Sequence, residues 1–177
     1  MKDAMIDLET LGTCNNAVII QIGACYFDRA TGKIGKKLLI NVDVESSLKK
    51  GFEVEAHTLY WWLEQSEDAR QSLIKKKGVS VIAAIKKINT FLKDSECIWS
   101  HATFDYVKIE HHLNKLGIKP TFGYRSPRDL RTLVDITDID LSEYHFDGVQ
   151  HNALDDCLHQ VKYTVDCLNK IKNGEKK

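Results

Sequence analysis

Five side chains carry most of the chemistry this sequence offers: Asp7, Glu9, Asp105, His151 and Asp156. Asp7 and Glu9 lie two apart in an alternating stretch, and a strand's period of two puts both carboxylates on one side, about 6 to 7 Å apart. The plain alternative is a half-buried strand that turns its charges to solvent. Phe104-Asp105 follows directly on the short apolar run Cys97 to Ser100 and falls in the first turn of the next helix. Such strand ends are where α/β sheets place functional groups, although an acidic first-turn residue also simply offsets the helix macrodipole. In His151-Asn152-Ala153-Leu154-Asp155-Asp156, Asn152 can cap a helix and leave His151 just outside it, or the string is an ordinary capped helix start. At 100° per residue Asp156 falls nearly opposite the stripe Leu154, Leu158, Val161, Val165, so it faces away from that helix's core.

The set holds four carboxylates and one histidine on separate elements or element ends. Hard oxygen ligands in this proportion suit Mg²⁺ or Mn²⁺. Two such ions about 3.5 to 4 Å apart stabilise both the attacking and the leaving oxygen of an in-line phosphoryl displacement. Phosphodiester hydrolysis is the reaction this chemistry fits.

The elements that must hold these groups are legible in outline. Residues 3 to 9 alternate, with Met5, Asp7 and Glu9 on one face and Ile6 and Leu8 on the other, which predicts a strand. Val18 to Asp28 and Leu38 to Val42 predict two more, joined through a Thr31-Gly32-Lys33 turn into an antiparallel meander. From His57 the period becomes helical: Leu59, Trp62 and Leu63 fit one face, and Val81, Ile82, Ile85, Ile88, Phe91 and Leu92 fit another. Cys97 to Ser100 reads as a strand, Thr103 as the cap of a helix through Leu116, and Gly117 as its stop. A shorter helix is expected over Arg128 to Asp135. The last helix starts near Asn152 with Leu154, Cys157, Leu158, Val161, Val165 and Leu168 as its core stripe. The order β-β-β-α-α-β-α-α predicts an α/β fold, a mixed sheet with helices on its faces.

Composition narrows the class. A chain of 177 residues with 43% hydrophobic residues fits one domain spanning 1–177, and 2 prolines and 10 glycines match neither a disordered nor a low-complexity chain. No apolar run approaches the roughly 18 residues of a membrane span. Alternation from Asp3 leaves no room for a secretory leader. The 5 cysteines are scattered without a C-x-x-C pair, so neither a disulfide framework nor a zinc site is indicated, and a cytoplasmic location is expected. With 25 Lys+Arg against 25 Asp+Glu, a broad basic face for duplex DNA is excluded and any nucleic acid contact is local. Basic strings at Lys33 to Lys37, Lys49-Lys50, Lys75 to Lys77 and Lys86-Lys87 read as solvated loops and helix ends.

The ordered motifs Ile6-Asp7-Leu8-Glu9-Thr10, Phe104-Asp105 and His151-x4-Asp156 resemble the DEDD 3′-to-5′ exonucleases, which have a ribonuclease H-like fold. Histidine rather than tyrosine in the last motif resembles the DEDDh branch, which includes polymerase proofreading subunits and oligoribonucleases. The strings Met5 to Thr13, Trp61-Trp62-Leu63-Glu64-Gln65 and Arg128-Asp129-Leu130-Arg131-Thr132 are similar to phage exonucleases and a small group of bacterial 3′-to-5′ exoribonucleases, over essentially the whole chain.

The resemblance implies that Asp7, Glu9, Asp105 and Asp156 hold two ions, Mg²⁺ or Mn²⁺, and that His151 activates the attacking water as general base. It implies a substrate that is the 3′ end of single-stranded RNA or DNA, with Thr10, Leu11, Gly12 and Phe104 among its contacts, and it suggests a homodimer. Position 101, often asparagine in that family, is His101 here. Trp61 and Trp62 point about 100° apart on a helix, so one packs inward and the other is open to base stacking or a subunit contact. Trp61 is placed with the substrate-binding residues. Arg128, Asp129 and Arg131 read as surface ion pairs within one helix, or as support behind the site. Two other readings compete: a catalytically idle nucleic-acid-binding module, against which the intact five-residue set argues, and a small-nucleotide phosphodiesterase. No motif identifies a contact to the 2′-OH, and the reading leans to RNA.

Overall fold

The alternation at the amino-terminal end covers both faces of a strand. In the computed structural model, which describes residues 2–74 and 77–174, β1 (Asp3–Thr10) is buried along its whole length. It pairs antiparallel with β2 (Ile19–Phe27), which pairs antiparallel with β3 (Ile34–Asn41). On its other side β1 runs parallel to β4 (Cys97–Ser100), which is followed by the parallel β5 (Pro127–Asp129). The result is a mixed five-stranded sheet ordered β3-β2-β1-β4-β5, as the sequence led us to expect, with helices on both faces.

Two apolar layers hold it together. Ala4, Ile6 and Leu8 of β1 join Ile22, Ala24 and Ile98 against Ile85 and Ile88 of α4 (Val81–Phe91) and Ile109 and Leu113 of α5 (Asp105–Lys115). Met5 faces the other way, with Cys25, Phe27 and Trp99, against Leu130 and Leu133 of α6 (Leu130–Thr137) and Cys157, Val161 and Cys167 of α7 (Ala153–Gly174). Strand periodicity therefore aims Asp7 and Glu9 at the α7 side. All five cysteines are free. Among the described residues no helix is long and apolar enough to cross a membrane.

Several local expectations are corrected. Among the described residues the chain between β3 and α4 forms three helices, α1 (Val44–Leu48), α2 (Ala56–Glu64) and α3 (Glu67–Ile74), where one was expected. On α2 only Trp62 is buried; Leu59 and Leu63, expected beside it, are exposed, because the helix is short and touches the body along one line. The expected helix over Arg128 to Asp135 begins at Leu130, since Pro127–Asp129 adds to the sheet edge and Asp129 caps α6 by accepting from Thr132 N–H. Thr103 caps nothing: Phe104 holds the cap position of α5 with no side-chain bond, and the Asp105 N–H reaches the His101 carbonyl instead. Gly117 does stop that helix, at φ +66°.

The buried residues of α7 are Ala153, Cys157, Gln160, Val161, Tyr163, Thr164, Val165 and Cys167; Cys157, Val161 and Val165 of the expected stripe are among them, whereas Leu154, Leu158 and Leu168 are only half-buried. Hydropathy misjudged that face because two of its core positions are polar and internally bonded, Thr164 donating to the Gln160 carbonyl at 2.7 Å. Asp156 consequently borders the buried face of α7. Of the basic strings, Lys36 and Lys37 are exposed on β3 and not in a loop, and Lys75 and Lys76 lie outside the described residues.

Candidate active site

Asp7 and Glu9 are each only 8% exposed, which rules out a strand turning its charges to water. What brings α7 down onto them lies on β2. Gly23 pairs with Asp7 and Gln21 with Glu9 in the antiparallel register. A Cβ on Gly23 would come 2.1 Å from the Ala153 carbonyl oxygen, so glycine is needed for the start of α7 to lie against the sheet. Gln21 then accepts the Ala153 N–H at 2.8 Å, satisfying one of the free donors of that helix end. Asn152 accepts from the N–H groups of Leu154 and Asp155, and thus caps α7 as its position in the sequence suggests.

Docked this way, α7 brings Asp156 and His151 to Glu9. One ligand atom from each of Glu9, His151 and Asp156 lies within 4.8 Å of the others, and the same holds for Asp7, His101 and Asp105. Asp105, 2% exposed, opens α5, and its two oxygens accept from the Leu8 N–H at 3.2 Å and the His101 N–H at 3.0 Å. Gln160, one turn past Asp156, donates to Asp7 Oδ1 at 2.7 Å. His151 takes the left-handed conformation, φ 64°, and sets its ring edge-on to Trp61 at 4.9 Å.

The electrostatics follow from crowding. Burial raises Asp7 to about 6 despite the Gln160 bond. Burial and then the charge of Asp7 raise Asp156 to about 7. Glu9 is pushed well above the usual range by burial and by Asp7, Asp156 and Asp105, and Asp105 by burial and Asp7. His151 moves the other way, its pKa lowered by burial, so the ring is neutral at pH 7. Asp156 Oδ2 is buried and, among the described residues, accepts no hydrogen bond. An oxygen-rich donor set with an unengaged buried carboxylate oxygen and mutually repelling charges fits divalent cations, which would replace the missing counter-charge.

Beside the cluster runs a groove of about 420 Å³ whose walls include Glu9, Thr10, Gly12, Thr13, Trp61 and Phe104. Thr10 donates to the Gly12 carbonyl at 2.7 Å, and Trp62, 5% exposed, donates its indole N–H to the Thr10 carbonyl at 2.9 Å. Trp61, 40% exposed, is the partner left open to the groove. Leu11, expected beside Thr10 and Gly12 as a contact, lies past the end of β1, whose pairing with β2 shifts register between Glu9 and Thr10, and it lines an adjoining apolar recess with Ile20, Val42 and Leu63. Arg128, Asp129 and Arg131 do not form the expected ion pairs: Asp129 accepts from Ala102 and Thr132, and Arg128 donates to the carbonyls of Arg125 and Pro127.

Four contributors escaped sequence reasoning. Lys108 is fully buried, donates to the Thr13 carbonyl at 2.9 Å and sits 3.3 Å above the Phe104 ring, thereby bracing two walls of the groove; the four-residue step from Phe104 was its signal. Glu55 accepts from the Thr13 and Cys14 N–H groups, which hold its carboxyl down at about 2. Gln160 was marked only by its four-residue step from Asp156. Gly23 carried no signal.

A family described as the 3′-5′ exoribonuclease Rv2179c-like domain matches residues 2–168. The exodeoxyribonuclease of Enterobacteria phage T4 is 24% identical over 199 residues, 91% of this chain and 86% of that protein. Among solved structures, E. coli exonuclease I in complex with a dA16 oligonucleotide is similar at TM-score 0.63 and 13% identity, over 97% of this chain and 45% of that one. The nuclease domain of 3′hExo, a DEDDh family member bound to rAMP, is similar at TM-score 0.58 and 12% identity, over 94% and 91%. The chain spans less than half the length of exonuclease I, and these structural likenesses speak to the ribonuclease H-like fold. With the whole of the sheet and the cluster inside the matched residues, the chain belongs to the 3′-5′ exoribonuclease Rv2179c-like domain family.

Proposed function

We propose that this chain, acting as one domain, hydrolyses the terminal phosphodiester at the 3′ end of single-stranded nucleic acid, RNA ahead of DNA, and releases nucleoside 5′-monophosphates. The observation that carries the reading is the meeting of Asp7 and Glu9 of β1, Asp105 of α5, Asp156 of α7 and His151 of the turn before it, beside a groove of about 420 Å³ that Glu9 lines. That volume is within the range of small-molecule sites and suits one nucleotide. The preference for RNA rests on the exoribonuclease family match.

In this mechanism Asp7, Glu9, Asp105 and Asp156 would hold two divalent ions, Mg²⁺ or Mn²⁺. When bound, these supply positive charge to the attacking and leaving oxygens. The groove takes the terminal nucleoside, with Phe104 and Trp61 as apolar walls for its base and sugar. His151 removes a proton from water as the new P–O bond forms and the bond to the upstream 3′ oxygen breaks. A ring kept neutral by burial has the lone pair this step requires. Gln160 holds the Asp7 carboxylate in place throughout.

The test is digestion of 3′-labelled and 5′-labelled RNA and DNA oligomers with Mg²⁺ or Mn²⁺, resolved on a gel. A ladder shortening from the 3′ end, faster on RNA and abolished by a chelator, is expected. Mononucleotides released from the labelled 5′ end, or cleavage of a circular single strand, overturn the assignment. Faster turnover of dinucleotides than of long strands selects the small-nucleotide reading.

A further inference from the structure

His101 is the one member of the carboxylate cluster to which the proposed reaction gives no task. Its backbone N–H holds Asp105, but among the described residues neither ring nitrogen makes a hydrogen bond. The ring is not turned out to solvent: Nδ1 lies 3.9 Å from Asp105 Oδ2, and a ring nitrogen, an Asp7 oxygen and an Asp105 oxygen lie within 4.8 Å of one another. Ligand atoms sharing one octahedral ion at about 2.1 Å stand about 3.0 Å apart when adjacent and about 4.2 Å apart when opposite. The observed spacing to Asp105 falls between these values.

The remainder of the ring borders a separate cavity of about 280 Å³, walled by Leu130, Arg131, Val134 and Tyr163, and the side chain is 30% exposed. A structural task for the ring would need a bond or an apolar pocket, and it has neither in full. A half-buried imidazole that makes no ring hydrogen bond among the described residues, turned toward two carboxylates, is a ligand arrangement.

We infer that His101 gives a nitrogen ligand to the cation shared by Asp7 and Asp105, so that this position selects Mn²⁺ over Mg²⁺. Mg²⁺ binds water and carboxylate oxygen in preference to imidazole, whereas later divalent ions gain affinity from a nitrogen donor. The inference rests on the reading of Asp7 and Asp105 as cation ligands. It adds to that reading the chemical identity of the ion.

The test uses the full chain, stripped of metal and loaded with Mn²⁺ alone, and compares wild type with His101→Asn and His151→Asn. Electron spin echo spectra of bound Mn²⁺ report a directly bonded imidazole through its ¹⁴N modulation. That modulation is expected in wild type and in His151→Asn, and lost in His101→Asn. In parallel, competition titrations should show Mn²⁺ bound at least about tenfold more tightly than Mg²⁺, with the ratio shrinking in His101→Asn because Mn²⁺ affinity falls while Mg²⁺ affinity holds. Wild type without ¹⁴N modulation, modulation that survives His101→Asn, or an unchanged affinity ratio each overturns the inference. Those results leave the proposed exonuclease standing if oligomers are still digested. Mn²⁺ held through nitrogen by a protein that digests no oligomer supports the inference and removes the proposed function.

Discussion

The carbonyl oxygen of Ala153 lies 2.1 Å from where a Cβ on Gly23 would stand, and Gly23 is the residue paired across the sheet with Asp7. One missing methyl group thus sets how near α7 comes to β1. On that approach depends the meeting of Asp156 and His151 with Glu9. Backbone atoms, unlike a flexible side-chain end, have no rotamer by which to yield.

Gly23→Ala should move the start of α7 outward and lower oligomer turnover by about 10² or more, the scale set by misplacing reacting groups by an ångström. Overpacking should also cost about 1–3 kcal/mol of stability. Thermal melts and a turnover assay check both. A variant with wild-type turnover places the register of α7 under other control.

The clustered carboxylates should make the metal-free protein less stable as pH rises. Asp7 and Asp156 titrate at about 6 and about 7 when folded, above their ordinary unfolded value of about 3.9. The folded state therefore binds more protons between these values, and stability present below about pH 4 is lost as pH rises through the folded pKa values. Melts of chelated protein from pH 5 to 8 should show a falling midpoint, a shallower fall in Asp7→Asn and Asp156→Asn, and recovery on adding Mn²⁺ or Mg²⁺. The same two variants should lose hydrolysis by orders of magnitude while remaining folded by circular dichroism.

Activity should rise with pH across a limb below the ordinary imidazole value of about 6.5, because burial lowers the pKa of His151 and the neutral ring is the base. His151→Ala should flatten that limb and cost about 10² to 10⁴ in rate while oligomer binding persists. Rate profiles at saturating Mn²⁺ decide it. An unchanged limb in the variant leaves water activation to the cations.

Trp61 and Trp62 should separate cleanly by assay. Trp61→Ala removes an exposed aromatic wall of the groove and should raise KM about tenfold, as loss of one stacked base does, with little change in melting temperature. Trp62→Phe removes a buried hydrogen bond to the Thr10 carbonyl and should cost about 1 kcal/mol of stability. Steady-state kinetics and thermal melts on the pair report the split.

Sequence alone determined the local facts. Strand periodicity placed Asp7 and Glu9 on one side, the capping chemistry of Asn152 left His151 just outside a helix, and residue types fixed the oxygen-rich character of the set, since each depends on neighbours within a few positions. It also gave the mixed sheet, because three hairpin-linked strands followed by alternating helices and strands leave few other arrangements. Tertiary structure decided what depends on distant surfaces meeting. The buried face of α7 includes Gln160 and Thr164, whose donors are taken up by Asp7 and by the helix's own carbonyl at Gln160, which hydropathy cannot register. Lys108 is buried because Thr13 and Phe104, on another segment and one turn away, receive its ammonium group. Leu11 lines an apolar recess with Ile20 and Val42, and His101 meets Asp7 of β1, through packing between segments far apart in the chain. Local period and residue chemistry are written in short windows of sequence, whereas burial of a polar group depends on the partner that folding brings to it.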